Sequence, residues 1–291
     1  MIFLILSILA SSSLLIFFKL FAKYQVNTKQ AIAINYLAAA ITSLFFIEKI
    51  PQIHSDDLGW MYAAWGLGTL FFIVFTFSSI STQKVSLGIT SIAMKLGLLF
   101  PIIFGILIYN EHFNIYNYIG LVFGIVSLFL LTHTKQSERN QSHSKWVYLL
   151  PLLVWIGSGI CDSTVQYANK LFLSHSTDGT FALVAFSGAA IAGFIYVFGI
   201  KREKIEFKSI IGGIALGIPN YFSIYFLFKC LEHLQTNYNL STATIFTINN
   251  LSIVVVSVFI GLFLFKEKLN QYNIIGIIFA LIGMILISFK S

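Results

Sequence analysis

Few side chains outside the polar loops of this sequence can do polar chemistry, and the most informative of them is Lys95, inside a long apolar run. It follows Lys84 by eleven residues, which is about 16 Å along a helix that rises about 1.5 Å per residue. An ammonium group at that depth is costly to bury unless it faces protein, water or a ligand. We therefore predict that Lys95 contacts a substrate or counter-ion; the alternative is a structural lysine neutralised by a carboxylate.

Further polar groups lie in other apolar runs. Asp162 is the only acid well inside one of them, and three roles are open to it: an ion pair with Lys95, a substrate contact, or the carriage of a proton. Asn249 and Asn250 are adjacent, and adjacent helical positions differ by about 100°. One of these two is therefore predicted to face a binding site and the other a neighbouring helix.

Proline interrupts two of the runs, at Pro101 and Pro219. A proline removes a backbone hydrogen bond, and in an apolar environment such a break is tolerated where protein or a watery cavity satisfies the freed groups. The neighbours of Pro219 are therefore added to the candidate substrate-binding set, which comprises Lys95, Asp162, Asn220, Tyr221, Asn249 and Asn250. No catalytic, cofactor-binding or metal-binding residue is predicted.

The composition excludes an ordinary soluble domain. Of the 291 residues 57% are hydrophobic and 10% charged, whereas soluble domains carry about 25% charged residues. A membrane-spanning helix needs about 20 largely apolar residues. The sequence therefore predicts an all-α polytopic membrane protein with ten transmembrane helices, at about 2–19, 31–47, 59–80, 85–108, 115–132, 147–169, 180–200, 209–229, 240–265 and 271–289.

The chain also contains an internal repeat. The segment from Glu111 to Gly120 and the segment from Glu267 to Gly276 share six of their ten residues, and the same offset of 156 pairs Ser86 with Thr242. We interpret the chain as two five-helix repeats, 1–133 and 147–291, joined by a polar linker at 134–146. Because five is odd, the second repeat must be inverted in the membrane relative to the first.

The basic residues support a membrane orientation. Thirteen of the eighteen lysines and arginines fall in the loops after odd-numbered helices, and cytoplasmic loops carry the excess of such residues. Both termini are thus predicted outside the cytoplasm, in a plasma (inner) membrane protein. The net charge of +7 is explained by this bias, and we expect no nucleic acid partner. No positive residue precedes the first run, so we do not expect it to be a cleaved signal peptide.

These halves resemble the EamA-type transporters of the drug/metabolite transporter superfamily, in which an apolar helix ends in an acidic residue before a short turn and a glycine-containing helix. The resemblance implies that helices 1–4 and 6–9 surround a central cavity, with helices 5 and 10 at the periphery. Glu111 and Glu267 occupy the acidic position of the family, and we interpret both as structural caps or loop anchors. Gly120, Gly124 and Gly276 could pack helices closely, either within one chain or in a homodimer.

The resemblance favours a secondary-active transporter that exports a small organic metabolite, such as an amino acid or another carboxylate-bearing solute, by alternating access, with a proton as a possible coupling ion. The alternatives are a nucleotide-sugar or other permease of the same fold, and a non-translocating membrane binding protein. The sequence has no GxxxxGK[ST] motif for ATP and no HExxH or GxSxG motif, so we predict neither an enzyme nor a cofactor.

Overall fold

A computed structural model describes residues 2–46, 59–100, 115–132, 145–172, 178–238 and 242–288. Throughout these ranges the regular structure is helical, without strands. The α-helices given with both ends inside these ranges are α1 (Ile2–Tyr24), α2 (Thr28–Leu44), α3 (Gly59–Lys84), α4 (Leu87–Lys95), α5 (Ile115–Thr132), α6 (Leu150–Phe172), α7 (Asp178–Phe194), α8 (Phe207–Tyr238), α9 (Thr242–Phe263) and α10 (Gln271–Ser288).

Each predicted apolar run contains one of these helices. Five of the described helices are long and apolar enough to cross a membrane, and three further apolar helices are shorter. The long spans are Ile2–Tyr24, Met61–Lys84, Trp146–Thr164, Thr180–Ile200 and Phe207–Cys230. The prediction of a multi-pass membrane protein is thus confirmed, while the count of ten crossings stays a prediction.

Two helices differ most from the predicted runs. The fourth run was expected to continue to residue 108; α4 passes at Lys95 into a 3-10 turn at Leu96–Leu98, residues 99–100 are helical again, and residues 101–108 lie outside the described ones. Pro101 lies outside the described residues. By contrast, α8 continues through Pro219 to Tyr238, well past the predicted end at 229, so this proline does not terminate its helix.

Eight helices contact one another in a closed order: α4, α6, α3, α7, α2, α8, α1, α9 and back to α4. Helices α5 and α10 pair with each other outside this ring. If each helix is replaced by its counterpart in the other half (α1 by α6, α2 by α7, α3 by α8, α4 by α9, and the reverse), the neighbours around the ring stay the same. The arrangement therefore places the same helices in the ring and at the periphery as the sequence resemblance implies.

Helices at equivalent positions of the two halves contact each other in antiparallel orientation. The start of α2 meets the end of α7, where the Lys29 ammonium group donates to the Tyr196 hydroxyl at 3.2 Å. Further along α2, Ala33 contacts Gly193, which comes earlier in α7. A Cβ added to Gly193 would lie 2.8 Å from the Cβ of Ala33, so the absent side chain permits this close crossing.

The peripheral pair is antiparallel in the same way. The Asn273 amide, near the start of α10, donates to the Leu131 carbonyl at the end of α5 at 3.1 Å. Near the other end of the pair, a Cβ added to Gly283 would lie 3.0 Å from the Gly120 carbonyl oxygen and 3.2 Å from the Gly124 nitrogen. The small residues predicted to allow close packing therefore do so within one chain.

The ring is not equally packed at its two ends. At the end that carries the α1–α2, α3–α4, α7–α8 and α9–α10 connections, α1 also contacts α3 and α4. Between α6 and α8, or α6 and α9, the described residues form no contact of comparable extent. We call the first end the lysine-rich face, because the lysine-rich loops of the sequence lie there. Helices α1, α3 and α4 of the first half are thus drawn together at this face.

Candidate functional site

The candidate site begins with Lys95, the last residue of α4. Its side chain is partly buried. The α-helix is interrupted directly after it by the 3-10 turn Leu96–Leu98, and residues 99–100 are helical again. Lys95 thus lies at an irregularity of the helical backbone inside an apolar run.

The 3-10 turn after Lys95 packs against α6. The Trp155 indole nitrogen donates to the Leu96 carbonyl at 3.0 Å, which also accepts from the Leu99 backbone N–H. One residue further, a Cβ added to Gly97 would lie 2.9 Å from the Gly159 nitrogen. Any side chain at Gly97 would therefore push α4 away from α6. This contact fixes the position of Lys95 relative to α6.

Asp162 lies on the same face of α6 as Trp155, because seven residues are close to two helical turns. Among the described residues it is the acid whose charge acts on Lys95, yet no hydrogen bond or ion pair within 4.0 Å joins them. The Asp162 side chain is exposed at the protein surface of the structure. The carboxylate thus lies near Lys95 without a direct contact between the two side chains.

The contacts of α9 distinguish Asn249 from Asn250. Asn250 belongs to the helical stripe that includes Val258, which contacts Gly88 of α4. Asn250 lies about 12 Å from Val258 along the axis of α9, and Lys95 lies about 10 Å from Gly88 along the axis of α4, which runs antiparallel to α9. Asn250 and Lys95 therefore lie at a similar level between the two helices.

Asn249 points elsewhere. It shares a stripe with Ile245, whose cluster includes Leu4 of α1 and Cys230 and Leu234 of α8. The residue is buried, and among the described residues its side-chain oxygen has no hydrogen-bond partner. Asn249 thus lies on a helix-packing side of α9, and the role of Asn250 in a binding site stays a prediction.

The remaining two candidates lie across the ring from Lys95, between α2 and α8. The Asn220 amide nitrogen donates to the side-chain oxygen of Asn35 at 3.2 Å, and both residues are buried. Tyr221 is buried in an aromatic cluster with Phe46 and Tyr225, at ring-centroid distances of 5.6 and 5.8 Å. These contacts describe helix packing, and the predicted substrate contacts of Asn220 and Tyr221 stay predictions.

A double-mutant cycle on Asn35 and Asn220 separates packing from binding. If the amide pair is structural, Asn35→Leu and Asn220→Leu will each destabilise the protein, and the double variant will recover a coupling free energy of about 0.6–2 kcal/mol, as for other hydrogen bonds between membrane helices. The measurement is unfolding in mixed detergent micelles. A coupling of zero together with reduced ligand affinity for Asn220→Leu would instead assign Asn220 to the binding site.

Sequence reasoning missed two features of this region. Pro101 predicts an interruption of this run, but it does not indicate that α4 already ends at Lys95, where the following turn packs against α6. The partner of Asn220 could have been suspected, because Asn35 is a lone amide within an apolar run. Nothing local in the sequence, however, indicates that α2 and α8 are neighbours.

Comparisons with known proteins extend over nearly the whole chain. The sequence pattern of the EamA-like transporter family matches residues 1–133 and again 149–289. An uncharacterized protein of Haemophilus influenzae is 31% identical over 289 residues, which cover 96% of this chain and 94% of that protein. A solved crystal structure at 12% sequence identity has a TM-score of 0.55 and covers 96% of this chain and 97% of its own. At that identity it supports the fold alone.

Proposed function

The chain belongs to the EamA-like transporter family, and from this premise we propose that it is a secondary-active transporter that exports a small carboxylate-bearing metabolite, such as an amino acid, by alternating access. The proposed machinery is a pair of inverted five-helix repeats around a central passage. The single observation that carries the substrate class is the ammonium group of Lys95 at the interior end of α4. The following features support each part of the proposal.

The antiparallel contacts support inverted repeats. A repeat inverted in the membrane requires that each helix run opposite to its counterpart, and α2 with α7 and α5 with α10 do so. Counterparts in a parallel repeat would run the same way. The family pattern also matches the two halves separately. Two such halves can exchange roles between an inward-facing and an outward-facing conformation.

The surroundings of Lys95 support an anionic or zwitterionic solute. A lysine near the middle of a bilayer costs about 2.5–3.5 kcal/mol on insertion scales, and no direct ion pair with Asp162 offsets this cost in the structure. A substrate carboxylate would offset it. In this scheme Asp162 binds a substrate amino group or carries the coupling proton, and Asn250 orients the solute by hydrogen bonds.

Orientation follows from the charged loops. The excess of lysine and arginine at the lysine-rich face supports a cytoplasmic position for that face, in a protein of the plasma membrane. The Lys19–Glu267 and Asn27–Glu203 contacts join the two halves there. In the proposed cycle the described conformation is therefore closed toward the cytoplasm.

Counterflow in reconstituted vesicles tests the proposal. A metabolite screen on the purified protein, with thermal stabilisation as the readout, should first identify a solute that contains a carboxylate. Vesicles preloaded with this unlabelled solute should then accumulate the labelled solute transiently, without added nucleotide. Protein-free vesicles and an uncharged analogue of the same solute serve as controls.

Two outcomes would contradict the proposal in different ways. A solute that stabilises the protein but shows no counterflow would indicate a non-translocating binding protein. Counterflow limited to cations, such as quaternary amines, would exclude Lys95 as the group that selects the substrate. A nucleotide sugar as the solute would leave the transport mechanism in place and correct the substrate class to the larger permeases of this fold.

A further inference from the structure

The carboxylate of Glu267 is the centre of a polar cluster at the lysine-rich face. Its Oε1 atom lies 2.7 Å from the Lys19 ammonium nitrogen of α1. The Ser86 hydroxyl donates to Oε2 at 2.8 Å, and the Leu87 backbone N–H donates to both oxygens, at 2.9 and 3.1 Å. The predicted role of Glu267 as a cap is thus confirmed, and the helix that it caps is α4, not its own.

The α9–α10 turn is shaped to present this carboxylate. Lys266 adopts a left-handed backbone conformation with φ of 51°, and the Glu267 N–H donates back to the Gly261 carbonyl at 2.9 Å. Gly261 must be a glycine here, because an added Cβ would lie 2.7 Å from the Glu267 Oε2 atom. A non-glycine residue held at positive φ is a feature that the surrounding contacts must enforce.

These contacts join the two halves of the chain. Lys19, Ser86 and Leu87 belong to the first half, whereas Glu267 belongs to the second. We call these four residues the Glu267 lock. The Lys19 ammonium group also donates to the Thr82 carbonyl at 2.9 Å, so the lock connects α1, the end of α3 and the start of α4 to the α9–α10 turn.

A second set of bonds crosses between the halves at the same face. The Asn27 amide donates to a Glu203 carboxylate oxygen at 2.7 Å. The Gln30 amide nitrogen donates to the Lys204 carbonyl at 2.8 Å, and its oxygen accepts from the Glu206 N–H at 3.0 Å. The lysine-rich face is therefore closed at two places by polar bonds rather than by apolar packing, and polar bonds can be exchanged for water.

Beneath the Glu267 lock lies a layer of buried hydroxyl groups. Ser81 and Thr90 share a hydrogen bond of 2.7 Å between α3 and α4. Ser78, about one helical turn deeper on α3, and Ser91, the residue after Thr90 on α4, are also buried, and within the described residues their hydroxyl oxygens have no hydrogen-bond partner. Burying an unpaired hydroxyl group is unfavourable. These side chains would be satisfied in a conformation in which water reaches them from the lysine-rich face.

We propose that the Glu267 lock is the gate of this face, and that its opening exposes the Ser78 and Ser91 hydroxyls to water and to the transported solute. This rests on the proposed transport function. Lys19 and Glu267 are positioning residues in this scheme: they hold the start of α4, and the other end of α4 carries Lys95. Because α4 is only nine residues long, movement of one end moves the other.

The sequence repeats the residue types of the lock in the opposite half. Lys19-Leu20-Phe21 recurs as Lys170-Leu171-Phe172, Glu267 matches Glu111, and Ser86 matches Thr242. Glu111 and the Lys170 side chain lie outside the described residues.

Cysteine labelling from the lysine-rich face tests the gate without any substrate. Ser78→Cys is introduced into a Cys161→Ala/Cys230→Ala background, and a membrane-impermeant thiosulfonate reagent is applied from that face. Loss of one charge-assisted hydrogen bond should shift the open–closed equilibrium by roughly tenfold or more. We therefore expect Glu267→Gln and Lys19→Met each to raise the labelling rate of the Ser78→Cys protein about tenfold.

Glu206→Gln is the matched control. It removes an exposed carboxylate from the same face, without touching the lock, and the labelling rate should not change. If Glu267→Gln or Lys19→Met is folded, as judged by helical circular dichroism and a single elution peak, and labels no faster than the parent, the gate is refuted. If Glu267→Gln fails to fold, the labelling rate of the Lys19→Met protein alone tests the gate. Faster labelling in a protein that moves no solute would refute transport and keep the gate.

Discussion

Substitution of Lys95 by methionine is expected to abolish most of the transport and to leave the fold intact. Methionine keeps the length of the side chain and removes the charge, so it tests the ammonium group alone. A hydrogen bond to a charged group contributes about 1.5–3 kcal/mol, which corresponds to a loss of substrate affinity of roughly 10- to 150-fold. Flux in reconstituted vesicles and thermal stabilisation by the solute measure the two effects.

The controls for this experiment concern charge and stability. Lys95→Arg retains a cation and should keep more activity than Lys95→Met. Lys208→Met removes an exposed lysine at the start of α8 and should transport normally. Since an unpaired lysine in the bilayer is unfavourable, the Lys95→Met protein should be at least as stable as its parent. Normal flux in the Lys95→Met protein would remove Lys95 from the site.

A disulfide between α4 and α9 is expected to arrest transport reversibly. A Cβ added to Gly88 would lie 3.7 Å from the Cβ of Val258, and disulfides need about 3.5–4.5 Å between these atoms. Gly88→Cys/Val258→Cys, in the background without the native cysteines, should therefore cross-link on mild oxidation. The bridge would hold the start of α4 and the end of α9 together, next to the Glu267 lock. The two halves could then not separate at the lysine-rich face, as the proposed transport cycle requires.

The expected observation is loss of nearly all solute flux after oxidation and its recovery after treatment with a reductant. The single variants Gly88→Cys and Val258→Cys carry the same side-chain changes without the bridge, and their flux should not respond to oxidant. Undiminished flux in protein shown by gel shift to be fully cross-linked would mean that the halves do not separate at this contact.

The order and approximate bounds of the helices could be predicted from the sequence, because each apolar run is separated from the next by polar residues. The capping role of Glu267 could also be predicted from its place at the end of a run and from its match in the other half. Both inferences depend on residues that are close in sequence, for which periodicity and composition are sufficient.

The contacts between distant helices could not be predicted. Lys19 and Glu267 are 248 residues apart, and no local pattern indicates that they pair. The choice between Asn249 and Asn250 likewise depends on which neighbour each face of α9 meets. Even the end of α4 is decided by Trp155 and Gly159 of α6. Long-range packing therefore determines which side chains of the candidate site contact each other, and the sequence pattern indicates only which side chains are candidates.

The order of helices in the ring has a consequence for biogenesis. Ser7 donates to the Ser223 carbonyl, and Asn35 accepts from Asn220, so these polar groups of α1 and α2 are paired with α8. At about 5–20 residues per second, a ribosome needs roughly 5–20 s after residue 133 to supply that helix. During this interval the first five helices lie in the bilayer with these polar groups unpaired, and we expect a membrane chaperone to bind them.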